Sequence, residues 1–281
     1  RIKRSAAMGQ ALRALKLICL AGSVLFFSSV LGQTAADAID PIASALRAEQ
    51  FDKALDLLQI ALQKFPNDGQ LWTMQGVAYA GKGQKKEALA SFRRALKIFP
   101  DNVPALQGTA QIDYDAGSAE GIPVIEHLLR LRPNDLTSQG MLAVLEFQQG
   151  QCLKAVPHFE KAEPLFGSQL PALHAYATCL VKLKRFEAAA NVLQKALLLN
   201  PNDPRERQVL SSVQLIAHQP QAAITTLDPL LSAGPDAQIL ELASAAYEER
   251  HDTEKAVDAL RRAILLDPQN VQLYVDFAAI R

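Results

Sequence analysis

Aromatic residues are scarce, 6% of 281, although 49% of the chain is hydrophobic. That balance suits Ala- and Leu-rich helices; sandwiches and barrels draw on aromatic and β-branched residues. Cysteine occurs only at 19, 152 and 179. No pair shows the C-x2-C or H-x3-H spacing of a strong metal site, and His158 and His174 lie six and five residues from Cys152 and Cys179. Neither a metal nor a cofactor is expected. Net charge is absent overall, but residues 1–32 hold Arg1, Lys3, Arg4, Arg13 and Lys16 and no acidic residue, leaving 24 basic against 29 acidic residues beyond them. A mildly acidic body carries no electrostatic footprint for nucleic acid. The chain contains no H-E-x-x-H, G-x-S-x-G or S-x-x-K, and Glu248 and Glu249 read as a solvated helix face. Catalysis within these residues is not expected.

What is present is a spacing. In residues 69–102, Trp72, Gly76 and Tyr79 are followed by Ala88, Phe92, Ala95 and Pro100, which predicts two antiparallel helices around a glycine-containing turn at 81–83. Small residues are needed where two helices cross closely. The same columns recur at steps of 33 or 34 residues. The Ala88 column reads Ala54, Ala88, Gly121, Ala155, Ala189, Ala223, Ala256, and the Phe92 column Leu58, Phe92, Ile125, Phe159, Leu193, Leu227, Leu260. The Ala95 column reads Ala61, Ala95, Leu128, Ala162, Ala196, Leu230, Ala263, and the closing column is proline except at Gly167. The Gly76 column is small from Gly76 to Ala278 and begins with the larger Ile42.

These residues resemble the tetratricopeptide repeat, W-x2-L-G-x2-Y…A-x3-F…P, with Gln75 in the place of its Leu. The resemblance implies an all-α fold, an α-solenoid whose helix-turn-helix units form a right-handed superhelix. About seven repeats are expected over 35–268, with 269–281 the first helix of a truncated eighth. Repeat one is expected to have a short, irregular first helix. Repeat three, with Pro104, Gly117, Gly121 and Pro123, is the poorest match. At the PND and PDN connections, Pro ends one helix and Asn or Asp can cap the next. Gly76 to Lys82 also fits most of a GxxxxGK phosphate loop. Gly83 stands where Ser or Thr is needed, however, and a helix precedes the motif where a strand should, so the repeat reading is preferred.

The N-terminus follows the order of a secretory signal peptide: a basic stretch from Met8 (a candidate start), an apolar run over 17–31, then small residues. Cleavage is expected after Gly32, Ala36 or Ala38. The run of 15 residues is short of the ~20 that span a bilayer. The expectation is therefore an exported protein, periplasmic or extracellular, with a membrane anchor as the alternative. In an exported chain Cys152 and Cys179 could pair. The reading preferred from their spacing is two separate small apolar residues.

The resemblance also implies a function: first helices lining a concave groove that holds a peptide or protein segment. Carried over by column, the groove comprises Thr73, Val77, Gln107, Gln111, Tyr114, Val144, Phe147, His174, Thr178, Val181, Gln208 and Ser212, with Lys182 and Arg205 to one side. The Lys and Asn with which some members clamp a C-terminal carboxylate are missing from the matching places. A non-catalytic interaction scaffold is expected. The alternatives are an anchored assembly factor for an envelope complex, or the recognition arm of an enzyme extending beyond Arg281.

Overall fold

The structure, a computed structural model, describes residues 35–280. The signal segment over 1–32, its start at Met8 and cleavage after Gly32 lie outside these residues; Ala36 and Ala38 fall in the first turn of the first helix. Among the described residues every regular element is a helix: α1 Ala35–Arg47, α2 Phe51–Lys64, α3 Gly69–Gly81, α4 Lys85–Ile98, α5 Val103–Asp115, α6 Gly121–Leu131, α7 Leu136–Gln148, α8 Cys152–Phe166, α9 Leu170–Lys182, α10 Phe186–Leu199, α11 Pro204–Ile216, α12 Pro220–Ala233, α13 Ala237–Glu249, α14 Thr253–Leu266 and α15 Val271–Ile280. They form seven helix pairs and one unpaired first helix, in two compact units divided after Asn102.

Each pair is turned by one residue in the left-handed region: Glu49, Gly83, Gly117, Gly150, Lys184, His218 and His251, with φ between 55° and 73°. Around it the backbone makes the same two bonds each time. Gly83 N–H donates to the Ala80 carbonyl and Gln84 N–H to that of Tyr79, and the other six turns repeat this pattern. This is the Schellman arrangement, which satisfies the carbonyls orphaned at a helix C-terminus. Connections between repeats work differently. Most second helices stop on an extended or bridging residue with proline next, as at Phe65 before Pro66 and Asn200 before Pro201, whereas α8 stops on Gly167 and α12 on the left-handed Gly234. The freed proline carbonyl is then taken by a donor six residues on: Trp72 Nε1 to Pro66, Gln139 Nε2 to Pro133, Arg207 to Pro201 and the Tyr274 hydroxyl to Pro268. The expected caps form at Asp68 and Asp203, and Asn270 caps α15 in the same way. Asp135 instead accepts from the Ser138 hydroxyl.

In the first unit, Ile42, Ala54, Leu58, Leu71 and Ala78 make the core. Gly76 is required there, because a Cβ at that position would sit 2.5 Å from ring carbons of Phe92. In the second unit the largest core runs through α8–α11, where Phe159 stacks on Tyr176 at 5.3 Å and meets Phe166 edge-on at 5.6 Å. The Ala88 column is buried in all seven repeats, as are the Phe92 and Gly76 columns as far as Ser244. In the Ala95 column only Leu230 is half-exposed. Each fully buried Leu or Phe contributes about 1.5–3 kcal/mol of apolar burial.

Two expectations are corrected. The first helix of repeat one is a full 13-residue helix with Pro41 inside it, and it buries Ile42 and Ala45. One lost backbone bond is tolerated where an apolar face is well covered. Cys152 and Cys179, read as separate thiols, form a disulfide with Cα atoms 4.9 Å apart. The first turn of α8 and the last turn of α9 lie side by side, a proximity that a spacing of 27 residues does not announce.

Candidate functional site

Some first helices of successive repeats touch directly, as α1 does with α3, α7 with α9 and α11 with α13. Between α9 and α11 a cavity of about 550 Å³ opens instead. Ligand pockets typically fall between ~300 and ~1,000 Å³. Its α9 wall consists of His174, Ala177, Thr178, Val181 and Lys182. Glu206, Val209 and Val213 of α11 face them, with Leu193 of α10 behind and Asp203 and Arg205 at the rim. The floor is apolar: Ala177, Leu193 and Val213 are buried, and Val209, half of whose surface is exposed, offers an aliphatic side to the opening. The bridge from Cys179 ties the middle of the α9 wall to α8.

The polar groups divide unevenly. Glu206, only 11% exposed, is held by His174 Nε2 at 2.8 and 3.0 Å. Asp203 caps α11 by accepting from the Arg205 backbone N–H at 2.8 Å, and also accepts from the Asn200 amide at 3.2 Å. Both carboxylates are thus engaged. Lys182 and Arg205 are exposed, and neither side chain takes part in an ion pair among the described residues.

Three residues of the expected groove, His174, Thr178 and Val181, come together in this cavity. Gln208 and Ser212 lie half-buried on α11 without lining it, the Ser212 hydroxyl donating to the Gln208 carbonyl at 2.8 Å. The reason is geometric. A cavity between two parallel first helices is walled by opposite flanks of them, so its α11 wall falls on a different column from its α9 wall. Glu206, Val209, Val213 and Leu193 were missed because a single column was carried through every repeat. Elsewhere, Val144 and Phe147 pack half-buried on the second unit's main core, and Tyr114 on the cluster of Ile125 and Leu142. Gln107 and Gln111 are exposed, the latter donating to Asp115. In the first unit Val77 is exposed, whereas Thr73 is buried, donating to the Gly69 carbonyl and accepting from the Asn102 amide.

A second polar cluster lies inside repeat four. Glu146, 1% exposed, has its carboxyl 3.9 Å from His158 Nε2, and His158 Nδ1 meets Gln139 Oε1 at 2.5 Å. Burial pushes the Glu146 carboxyl from its ordinary 4.5 to about 7, opposed by Lys154 and aided by Glu126. Burial likewise pushes His158 down, with Lys161 adding to the effect and Glu126 opposing it. No group of three metal-ligating side chains forms among the described residues.

Three stretches match known family models: a tetratricopeptide repeat over 43–103, subunit 3 of the anaphase-promoting complex (cyclosome) over 119–196, and a tetratricopeptide repeat over 237–270. With the helix pairs and their columns, these matches make the chain a tetratricopeptide-repeat protein. The Arabidopsis thaliana protein CTR9 homolog is 26% identical over 239 residues, covering 80% of this chain and 22% of its own length. The peroxisomal targeting signal receptor of Candida glabrata is 32% identical over 81 residues, covering 29% of this chain and 13% of its own. This chain thus spans a minor part of the curated relatives it matches. A tetratricopeptide repeat protein of Parabacteroides merdae has a similar fold, with a TM-score of 0.50 at 16% identity over 89% of this chain and 99% of its own.

Proposed function

We propose that the chain is a non-catalytic scaffold that holds a segment of another protein, seating one apolar side chain in the cavity between α9 and α11. The observation that carries this is the cavity itself: an apolar floor, a polar rim and a volume suited to a Leu, Met or Phe side chain with its backbone. Likeness to a protein named as a targeting signal receptor supports a peptide as the bound form. The small acidic excess of the body supports a protein partner over nucleic acid.

Export is part of the same proposal. A buried disulfide supports an oxidising compartment, where such bonds persist. No described helix is long and apolar enough to cross a membrane, so anchoring would require the N-terminal segment to be retained. Intact mass from soluble and membrane fractions of the native host separates the two forms. A soluble species beginning near Gln33 supports export, and a membrane-bound, uncleaved one supports the anchor.

Binding is tested by selecting peptides from a random displayed library on the full chain and measuring them again on Val209→Trp, which fills the cavity. Selected peptides should weaken tenfold or more while the unfolding midpoint holds. Peptides that bind both proteins equally would refute seating in this cavity.

A further inference from the structure

We infer that the segment taken by the α9–α11 cavity is acidic beside its apolar anchor: a large apolar side chain flanked by Asp or Glu. This rests on the proposed scaffold function and adds the chemistry of the partner. The formal charges around the opening cancel, but their availability does not. Glu206 is largely buried and spent on His174, and Asp203 is committed to the start of α11. Lys182 at the end of α9 and Arg205 in the first turn of α11 stand exposed on opposite sides of the apolar floor, with no ion pair of their own among the described residues. An incoming carboxylate meets two open donors without displacing an internal partner, whereas an incoming Lys or Arg must compete with His174 or the α11 cap for its acceptor.

The geometry also disfavours a reading in which the cations serve the fold. Arg205 lies near the positive end of the α11 helix dipole, an unfavourable place for a cation. Lys182 does sit at a favoured helix end, but on the cavity side. The body as a whole carries only a small acidic excess, so the preference for an acidic segment rests on the two local cations at the opening.

The test uses the full chain and three fluorescent 12-residue peptides that share a central Phe-Leu and differ only in flanks: Asp/Glu, Ser/Gly or Lys/Arg. Each exposed ion pair changes affinity by only a few-fold, and two cations face the peptide here. Anisotropy should therefore show the acidic peptide binding about tenfold tighter than the basic one in low salt, with the gap narrowing at 0.5 M NaCl. Lys182→Glu with Arg205→Glu, both on exposed side chains, should reverse the order, and Val209→Trp should abolish binding of all three. Equal binding of the three peptides would overturn the charge reading and leave the apolar seat intact. Failure of all three to bind would overturn both readings. Acidic preference surviving in Val209→Trp would place the attraction elsewhere and overturn this one.

Discussion

Replacing Glu146 with Gln should stabilise the protein, by an amount that grows with pH. The folded chain holds the Glu146 proton up to about pH 7, while an ordinary carboxyl releases it near 4.5. Between those values the folded state binds more protons than the unfolded one, so this group makes stability fall as pH rises, levelling off above 7. With each unit of pKa shift worth about 1.36 kcal/mol, the loss approaches ~3 kcal/mol at pH 8 and is already ~1 kcal/mol at pH 5. His158 slopes the other way. Its folded pKa is depressed below 6.5, so stability falls as pH drops through that value. The substitution removes the first slope and leaves the second. In a domain of this size 1 kcal/mol moves Tm by ~2–4 °C, so Glu146→Gln should gain roughly 6–12 °C at pH 8 and a few degrees at pH 5. Thermal unfolding followed by circular dichroism at both pH values is sufficient. A gain of equal size at both, or a loss at pH 8, would refute the buried-carboxyl argument.

Gly76→Ala places a methyl against the Phe92 ring and should cost ~1–3 kcal/mol in urea unfolding, less in a Phe92→Leu background. Lys184→Gly relieves a side chain held at φ 58° and should add up to ~1 kcal/mol; Gly83→Ala, at φ 73°, should lose a similar amount. Cys179→Ser opens a bridge of sequence separation 27 and should lower stability by roughly 3–4 kcal/mol, with dithiothreitol reproducing the shift in wild type but not in the variant.

The repeat columns were legible because packing restricts them to one size class: Ala88, Ala155 and Ala189 have no room for more. The left-handed column was hidden, because at Glu49, Lys184, His218 and His251 the backbone bonds of the turn impose a conformation that the side chain does not advertise. Glu146 could have been found. Its column reads Ala45, Tyr79, Asp113, Glu146, Leu180, Gln214, Tyr247, so a carboxylate stands, as at Asp113, in a column that Tyr79, Leu180 and Tyr247 fill with a ring or an aliphatic chain. The apolar side of the cavity was half legible. His174, Thr178 and Val181 follow the family column, while Val209 and Val213 belong to the opposite flank of the next first helix. Pairing of the cysteines depends on how α9 lies against α8, which no local pattern encodes.

The bridge between Cys152 and Cys179 also has a mechanical consequence. Units in a repeat array can unravel one after another when the chain is pulled from its ends. In the oxidised protein the segment between the cysteines can lose its helices yet cannot lengthen the tether. At ~3.3–3.6 Å per residue, a separation of 27 withholds about 90–100 Å of extension. An oxidised molecule under tension should stop short of a reduced one by that length. The slack lies in α8 and in α9 as far as Cys179, so the bridge limits how far a load can draw the cavity's wall away from its neighbour.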